Sequence, residues 1–266
     1  MIGIVQGRLT YSGKKLQSFP KHPFKEFKLA AKLGYDFIEF FAEKTKNYKN
    51  PIWSNSGKQK YIQFSKINRI KIFSFCDNYI INHSIHSPQT LREITNTLEQ
   101  IEELKIKKYI LPLYGKSEIK KKNKEKIYKN LSIISNICKK KKIELLLESD
   151  MSPESFIKLK KKINSKNCFF LFDTGNRIVL KTNPIKDILK FRNDLGHVHL
   201  KDKNIHNKNV IIGDGSVKFE LIFAALKKIN YKGSFTIESQ RGKNIKAQAK
   251  KNCAYFKDLI KRYLKK

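Results

Sequence analysis

What most limits the fold of this chain is an alternation that runs along its whole length. Short apolar runs of strand character are followed, each time, by sequence patterned for an amphipathic helix. Eight such runs stand out, over residues 2–6, 37–41, 71–75, 109–113, 143–147, 169–172, 195–200 and 234–237. Several are continuously apolar, as a strand covered on both faces requires. In residues 24–33 apolar positions recur at helical spacing, and Gly34 follows where a left-handed C-cap would sit. Residues 91–104, 127–138, 153–163 and 219–229 read the same way. This order predicts a parallel sheet with helical crossovers. No Pro- or Gly-rich linker interrupts it, so residues 1–266 are expected to form one α/β domain. A doubly wound sheet would place a glycine-rich phosphate loop after its first strand, and no GxGxxG occurs. Eight units in a chain of 266 residues therefore predict a single (β/α)8 barrel with parallel strands. Residues 48–59 lack periodicity and are expected to form a long loop at the barrel mouth.

Charge bears on the choice of partner. A formal charge of +34 would ordinarily suggest a polyanion. Here lysine is spread over nearly every expected helix and is accompanied by abundant Asn and Ile, the pattern of codons biased toward A and T. Nucleic acid is therefore not expected as a partner. No apolar run approaches the ~20 residues of a bilayer span. Residues 1–8 lack the basic segment and cleavage site of a signal peptide and read as a first strand. Cys76, Cys138, Cys168 and Cys253 show no paired spacing, which fits a reducing cytoplasm.

The chemistry concentrates at strand ends. Four successive strands finish with a residue able to bind a divalent cation: Glu148, Asp173, His199 and Glu238. In a barrel all strand C-termini reach one rim, so these side chains are expected to converge. Three carboxylates and an imidazole suit one divalent metal ion, Mn²⁺, Mg²⁺, Co²⁺ or Zn²⁺, and without a cation such acids would repel one another.

Six segments, in order and at their spacing, carry a resemblance over nearly the whole chain. They are 2–9 (IGIVQGRL), 30–39 (AAKLGYDFIE), 172–176 (FDTGN), 196–202 (GHVHLKD), 213–215 (GDG), and 231–233 (YKG) ahead of Ile237 and Glu238. Through them the chain resembles the xylose isomerase-like TIM barrel superfamily, and within it the sugar phosphate isomerase/epimerase family. The resemblance implies that Glu148, Asp173, His199 and Glu238 bind the metal. It also implies that Glu148 and Glu238 are catalytic, on opposite sides of the substrate carbon. The implied reaction is proton abstraction beside a carbonyl polarised by the cation, through an enediolate. Return of the proton to the same carbon gives an epimer, and to its neighbour an isomer.

Around this centre a small sugar or sugar phosphate would meet further groups. Lys201 continues the inward series of His197 and His199, and Arg8 and Arg241 follow the first and eighth strands, so all three could contact a substrate phosphate or carboxylate. Gln6 and Asn176 suit hydroxyl groups, and Glu39 ends the second strand. His197 is expected as a packed imidazole behind His199, and His83 and His86 as loop residues. Three alternatives share the fold: an endonuclease IV-like repair hydrolase, a keto-cyclitol dehydratase and a non-catalytic sugar-binding barrel. The nuclease subgroup has a histidine where Asn176 stands and an Asp-x-His pair that residues 201–206 lack. A homo-oligomer is compatible with the sequence.

Overall fold

A computed structural model describes residues 1–10, 13, 16, 18–180 and 182–265. In chain order its elements are β1 (Ile2–Val5), α1 (Lys25–Leu33), β2 (Phe37–Ala42), α2 (Asn55–Asn68), β3 (Lys71–Asp77), α3 (Tyr79–Asn82), α4 (Pro88–Gln100) and β4 (Lys108–Pro112). There follow α5 (Lys124–Lys140), β5 (Glu144–Glu148), α6 (Pro153–Lys162), β6 (Cys168–Asp173), α7 (Thr174–Ile178), α8 (Pro184–Phe191) and β7 (Leu195–Leu200). A ribbon of β8 (Asp202–Lys203) and β9 (Asn209–Val210) precedes α9 (Phe219–Lys228), β10 (Ser234–Ile237) and α10 (Ile245–Leu264). Eight strands close into a barrel in the order β1-β10-β7-β6-β5-β4-β3-β2, and every neighbouring pair is parallel. The expected (β/α)8 architecture is the one observed.

Two separate apolar layers explain why the strands read as unbroken apolar runs. Val5, Phe41, Cys76, Ile110, Leu146 and Leu171 form a plug of their own, and the opposite side chains join the layer under the helices. Burying Leu, Ile and Phe on both sides contributes ~1.5–3 kcal/mol per side chain, which a strand exposed on one face could not gain throughout.

Local signals set the helix ends. Gly34, with φ of 87°, ends α1 and returns its N–H to Ala30 and Ala31 carbonyls. Ser152 caps α6 by accepting from Ser155 N, with Pro153 in the first turn.

The expected loop over residues 48–59 is corrected. Residues 51–53 form a 3₁₀ turn capped by Asn50, and α2 begins at Asn55 behind the cap Ser54. The helix escaped notice because its inward face includes Gly57 and Lys58 beside Tyr61. Lys58 is buried against Glu103 and Gln100, so a charged residue occupies a position where the pattern demands an apolar one. Its end is masked too, since Arg69 rather than glycine takes the left-handed cap, at φ of 55°.

One irregularity positions the site. Along β6 and β7, Phe170 pairs with Leu195 but Leu171 pairs with His197, leaving Gly196 as an extra residue. Side chains alternate with period two, so without this shift Asp173 would stand level with Val198. With it, Asp173 pairs with His199, and His199 with Thr236 of β10. Gly196 has no room for a side chain: a Cβ there would lie 2.6 Å from Phe169 and 2.7 Å from Leu146.

Candidate functional site

Glu148, Asp173 and His199 each bring a ligand atom within 4.8 Å of the others, and all three are buried. Glu238 lies beside them, its Oε2 3.3 Å from His199 Nδ1, but outside that group. Three of the four expected ligands thus meet directly and the fourth is held at their edge. A cavity of about 640 Å³ opens above, lined in part by Glu148, Glu238, Asn176, Lys201 and Tyr114.

Each carboxyl is fixed by a different partner. Asp173 uses Oδ1 to cap α7 by accepting from Asn176 N at 2.7 Å, which leaves Oδ2 facing the cluster. Asn176 Nδ2 donates to Glu148 Oε1 at 2.9 Å. The short helix is itself anchored by Arg177. Its buried guanidinium pairs with Asp187, donates to Met151 O at 2.8 Å, and lies 5.9 Å from the rings of Phe170, Phe172 and Phe191.

Electrostatics separate the two glutamates. Burial, then Asp173, push the Glu148 carboxyl up to about 8. Burial also raises Asp173. Burial opposes the charge of Glu238 as well, but Lys201, His199 and Arg8 outweigh it and hold that carboxyl well below the usual range. Crowded, buried acids of this kind favour a cation among them.

Below the cluster a polar chain fixes His199. Its Nε2 is 2.9 Å from Glu39 Oε1, while Glu39 Oε2 accepts from the hydroxyls of Ser74 at 2.7 Å and Thr236 at 3.1 Å. Thr236 spends its hydrogen on Glu39, so its oxygen accepts from His197 Nε2 at 2.8 Å. Nδ1 of His197 then accepts from Ser234 Oγ at 2.7 Å. Burial lowers His197 to about 4, keeping that ring neutral. Glu39, His197 and His199 also lie close enough to hold an ion. Both nitrogens of His197 and Glu39 Oε2 are instead engaged by hydroxyl groups, and Glu39 Oε1 faces His199 Nε2, so the upper trio, with Glu148 on the cavity wall, fits a cation better.

The remaining expected substrate contacts separate. Asn176 and Lys201 line the cavity; Gln6, Arg8, Glu39 and Arg241 do not. Gln6 donates from Nε2 to Tyr61 Oη at 3.3 Å. Arg8 lies 3.9 Å from Glu238 and donates to the carbonyls of Ser239 and Leu16. Arg241 donates to the carbonyls of Gly7, Gly13 and Leu16. Both arginines brace main-chain carbonyls after β1. Sequence reasoning passed over Tyr114, Glu43, Lys44 and Asn78, all on the cavity wall. Asn78 directly follows β3 and Tyr114 lies two residues beyond β4, so their rim position was the available signal.

Asp77 is a strand-end acid outside the cluster, holding the Tyr109 hydroxyl and Tyr79 N. Burial raises it to about 6 from 3.8. A carboxyl that keeps its proton longer when folded makes stability fall as pH rises across that window. Melting temperatures should therefore shift in favour of Asp77→Asn, relative to the parent, between about pH 4 and about pH 7. A constant difference would show that Asp77 does not titrate there.

Comparison with known proteins follows the same lines. A family model for the xylose isomerase-like TIM barrel matches residues 27–259. An inosose dehydratase of Clostridium botulinum is 30% identical over 110 residues, 35% of this chain and 37% of the dehydratase. An L-ribulose 3-epimerase of Methylomonas sp. is 33% identical over 78 residues, 29% of this chain and 26% of the epimerase. The chain thus spans little more than a third of the length of the first and about a quarter of the second. Among solved structures, D-psicose 3-epimerase from Clostridium cellulolyticum H10, determined with D-tagatose, superposes with a TM-score of 0.78 at 16% identity. That match covers 100% of this chain and 99% of the epimerase, and is a likeness of fold.

Proposed function

Because the chain belongs to the xylose isomerase-like TIM barrel family, we propose that it is a divalent-metal-dependent isomerase or epimerase of a small sugar, sugar phosphate or related keto compound. The observation that carries this reading is the buried meeting of Glu148, Asp173 and His199, with Glu238 beside them and both glutamates lining a cavity. Their fit to a cation rests on Asp173 Oδ2 and His199 Nδ1. Both are buried without a hydrogen-bond partner, with ion-pair contacts at 3.4 and 3.3 Å.

Glu148, Asp173, His199 and Glu238 would hold the ion, which supplies polarisation of a substrate carbonyl oxygen. The proton is handled by the chain itself. Glu238, kept ionised by its cationic neighbours, takes the hydrogen from the carbon beside the carbonyl. Glu148, the second carboxyl of the pair, returns one. Asn176 keeps Glu148 aimed while this happens, and Glu39 fixes the ring of His199. A second reading, dehydration of a keto-cyclitol, is favoured by the recurrence of inosose dehydratases among the similar sequences. It begins with the same proton removal and continues with loss of a hydroxyl from the next carbon.

The test is solvent deuterium exchange across a panel of ketoses, ketose phosphates and keto-cyclitols with added Mn²⁺. Deuterium incorporation without loss of water supports the isomerase or epimerase, and loss of water supports the dehydratase. Absence of both across the panel refutes proton transfer at this site. Glu39→Gln should weaken Mn²⁺ binding ~10–100-fold, because it loosens the ring that presents Nδ1. Calorimetric titration measures this, and unchanged affinity would remove Glu39 from the scheme.

A further inference from the structure

Lys201 is an unusual occupant of such a site. Its side chain is only 10% exposed, and its Nζ lies 3.4 Å from Asp173 Oδ2 and 3.3 Å from Glu238 Oε2. A buried ammonium needs compensating charge, and here it takes that charge from two of the four carboxyl and imidazole groups assigned above to a cation.

The placement is built into the backbone. Lys201 N donates to Thr174 Oγ1 at 2.9 Å, and Thr174 Oγ1 donates back to Lys201 O at 2.6 Å, so the residue is clamped to the start of α7. Its aliphatic stem then crosses Gly175, where a Cβ would lie 3.0 Å from Lys201 Cγ and 3.3 Å from its Cβ. The segments 172–176 and 196–202 are thus joined through one lysine. Lys201 also lines the cavity, so the ammonium has open space beside it.

We propose that Lys201 is an internal counter-ion of the carboxylate cluster, and that a divalent cation binds by displacing its ammonium from Asp173 and Glu238 toward the cavity. The inference rests on the metal-centre reading above and adds to it a resident competitor. Without a cation the ammonium keeps Asp173 and Glu238 from repelling each other. With one, ammonium and ion claim the same oxygens, and like charges a few ångströms apart in a buried site repel strongly.

The experiment compares the full chain with Lys201→Met and Lys201→Arg, each stripped by chelation and titrated with Mn²⁺ in a calorimeter. Lys201→Met should bind Mn²⁺ about tenfold more tightly or better, since a like charge has been removed. Its stripped form should melt lower than the parent, and its melting temperature should rise further on adding Mn²⁺. Lys201→Arg, which keeps the charge, should show no tightening. Equal or weaker Mn²⁺ affinity in Lys201→Met overturns the proposal while leaving the metal centre standing. This includes the case where only the KM of an anionic substrate changes. Failure of every form to bind Mn²⁺ overturns both. A measurement on the unaltered chain covers the case in which Lys201→Met does not fold. Amine acetylation mapped by mass spectrometry should reach Lys201 faster in the Mn²⁺-loaded protein than in the stripped one, and equal labelling overturns the proposal.

Discussion

Exchange of the substrate's α-hydrogen with solvent falls by ~10²–10⁴-fold, or below detection, in Glu148→Gln and in Glu238→Gln, since each removes one of two proton carriers. The two variants differ in stability. Glutamine at 148 still accepts from Asn176 and stands in for the uncharged carboxyl that burial favours in the metal-free site, so that variant melts close to the parent. Glutamine at 238 deprives Lys201, Arg8 and His199 of a shared counter-charge, and that variant melts lower. Rates are read from deuterium incorporation by proton resonance, with circular dichroism confirming the fold. Undiminished exchange in either variant refutes the role assigned to that glutamate.

Arg177→Met should have the largest effect on stability of any change considered. The guanidinium is the charged partner of buried Asp187, which otherwise accepts from Thr182 Oγ1 at 3.0 Å. Removing one member of a buried pair typically costs ~3–5 kcal/mol, because the other charge is left in an apolar setting. For a chain of this size that lowers the melting temperature by roughly 10 °C. The damage also reaches the cavity floor, because α7 carries Asn176 and is capped by Asp173. Urea denaturation followed by circular dichroism measures the loss. A cost below about 1 kcal/mol would mean that the rings of Phe170, Phe172 and Phe191 hold the helix without the ion pair.

The barrel was legible because its strands are apolar on both faces and their spacing leaves room for little else. Strand-end carboxylates and His199 were legible for a related reason, since a parallel barrel sends all such ends to one rim. Other features were hidden by tertiary context. Lys58, paired with Glu103, disguised α2 as a loop. Arg8 and Arg241 sit at rim positions suited to a substrate anion, yet they donate to main-chain carbonyls of Ser239, Gly7, Gly13 and Leu16. Glu39, expected at the end of its strand, lies instead in the middle of β2, which continues to Ala42, and there Ser74, Thr236 and His199 hold it beneath the cluster. Lys201 could be placed on the inward face from sequence, while its partners depend on Thr174 and Gly175, which are close only in space.

The extra residue at Gly196 makes the whole centre a matter of parity. Odd and even positions of β7 trade inside for outside if that extra residue is drawn into regular pairing with Leu171, although every helix and strand keeps its place in the order. His199 would then face the helical shell and Val198 the carboxylates. A change that straightens one step of a strand thus disperses the centre while sparing the architecture that houses it.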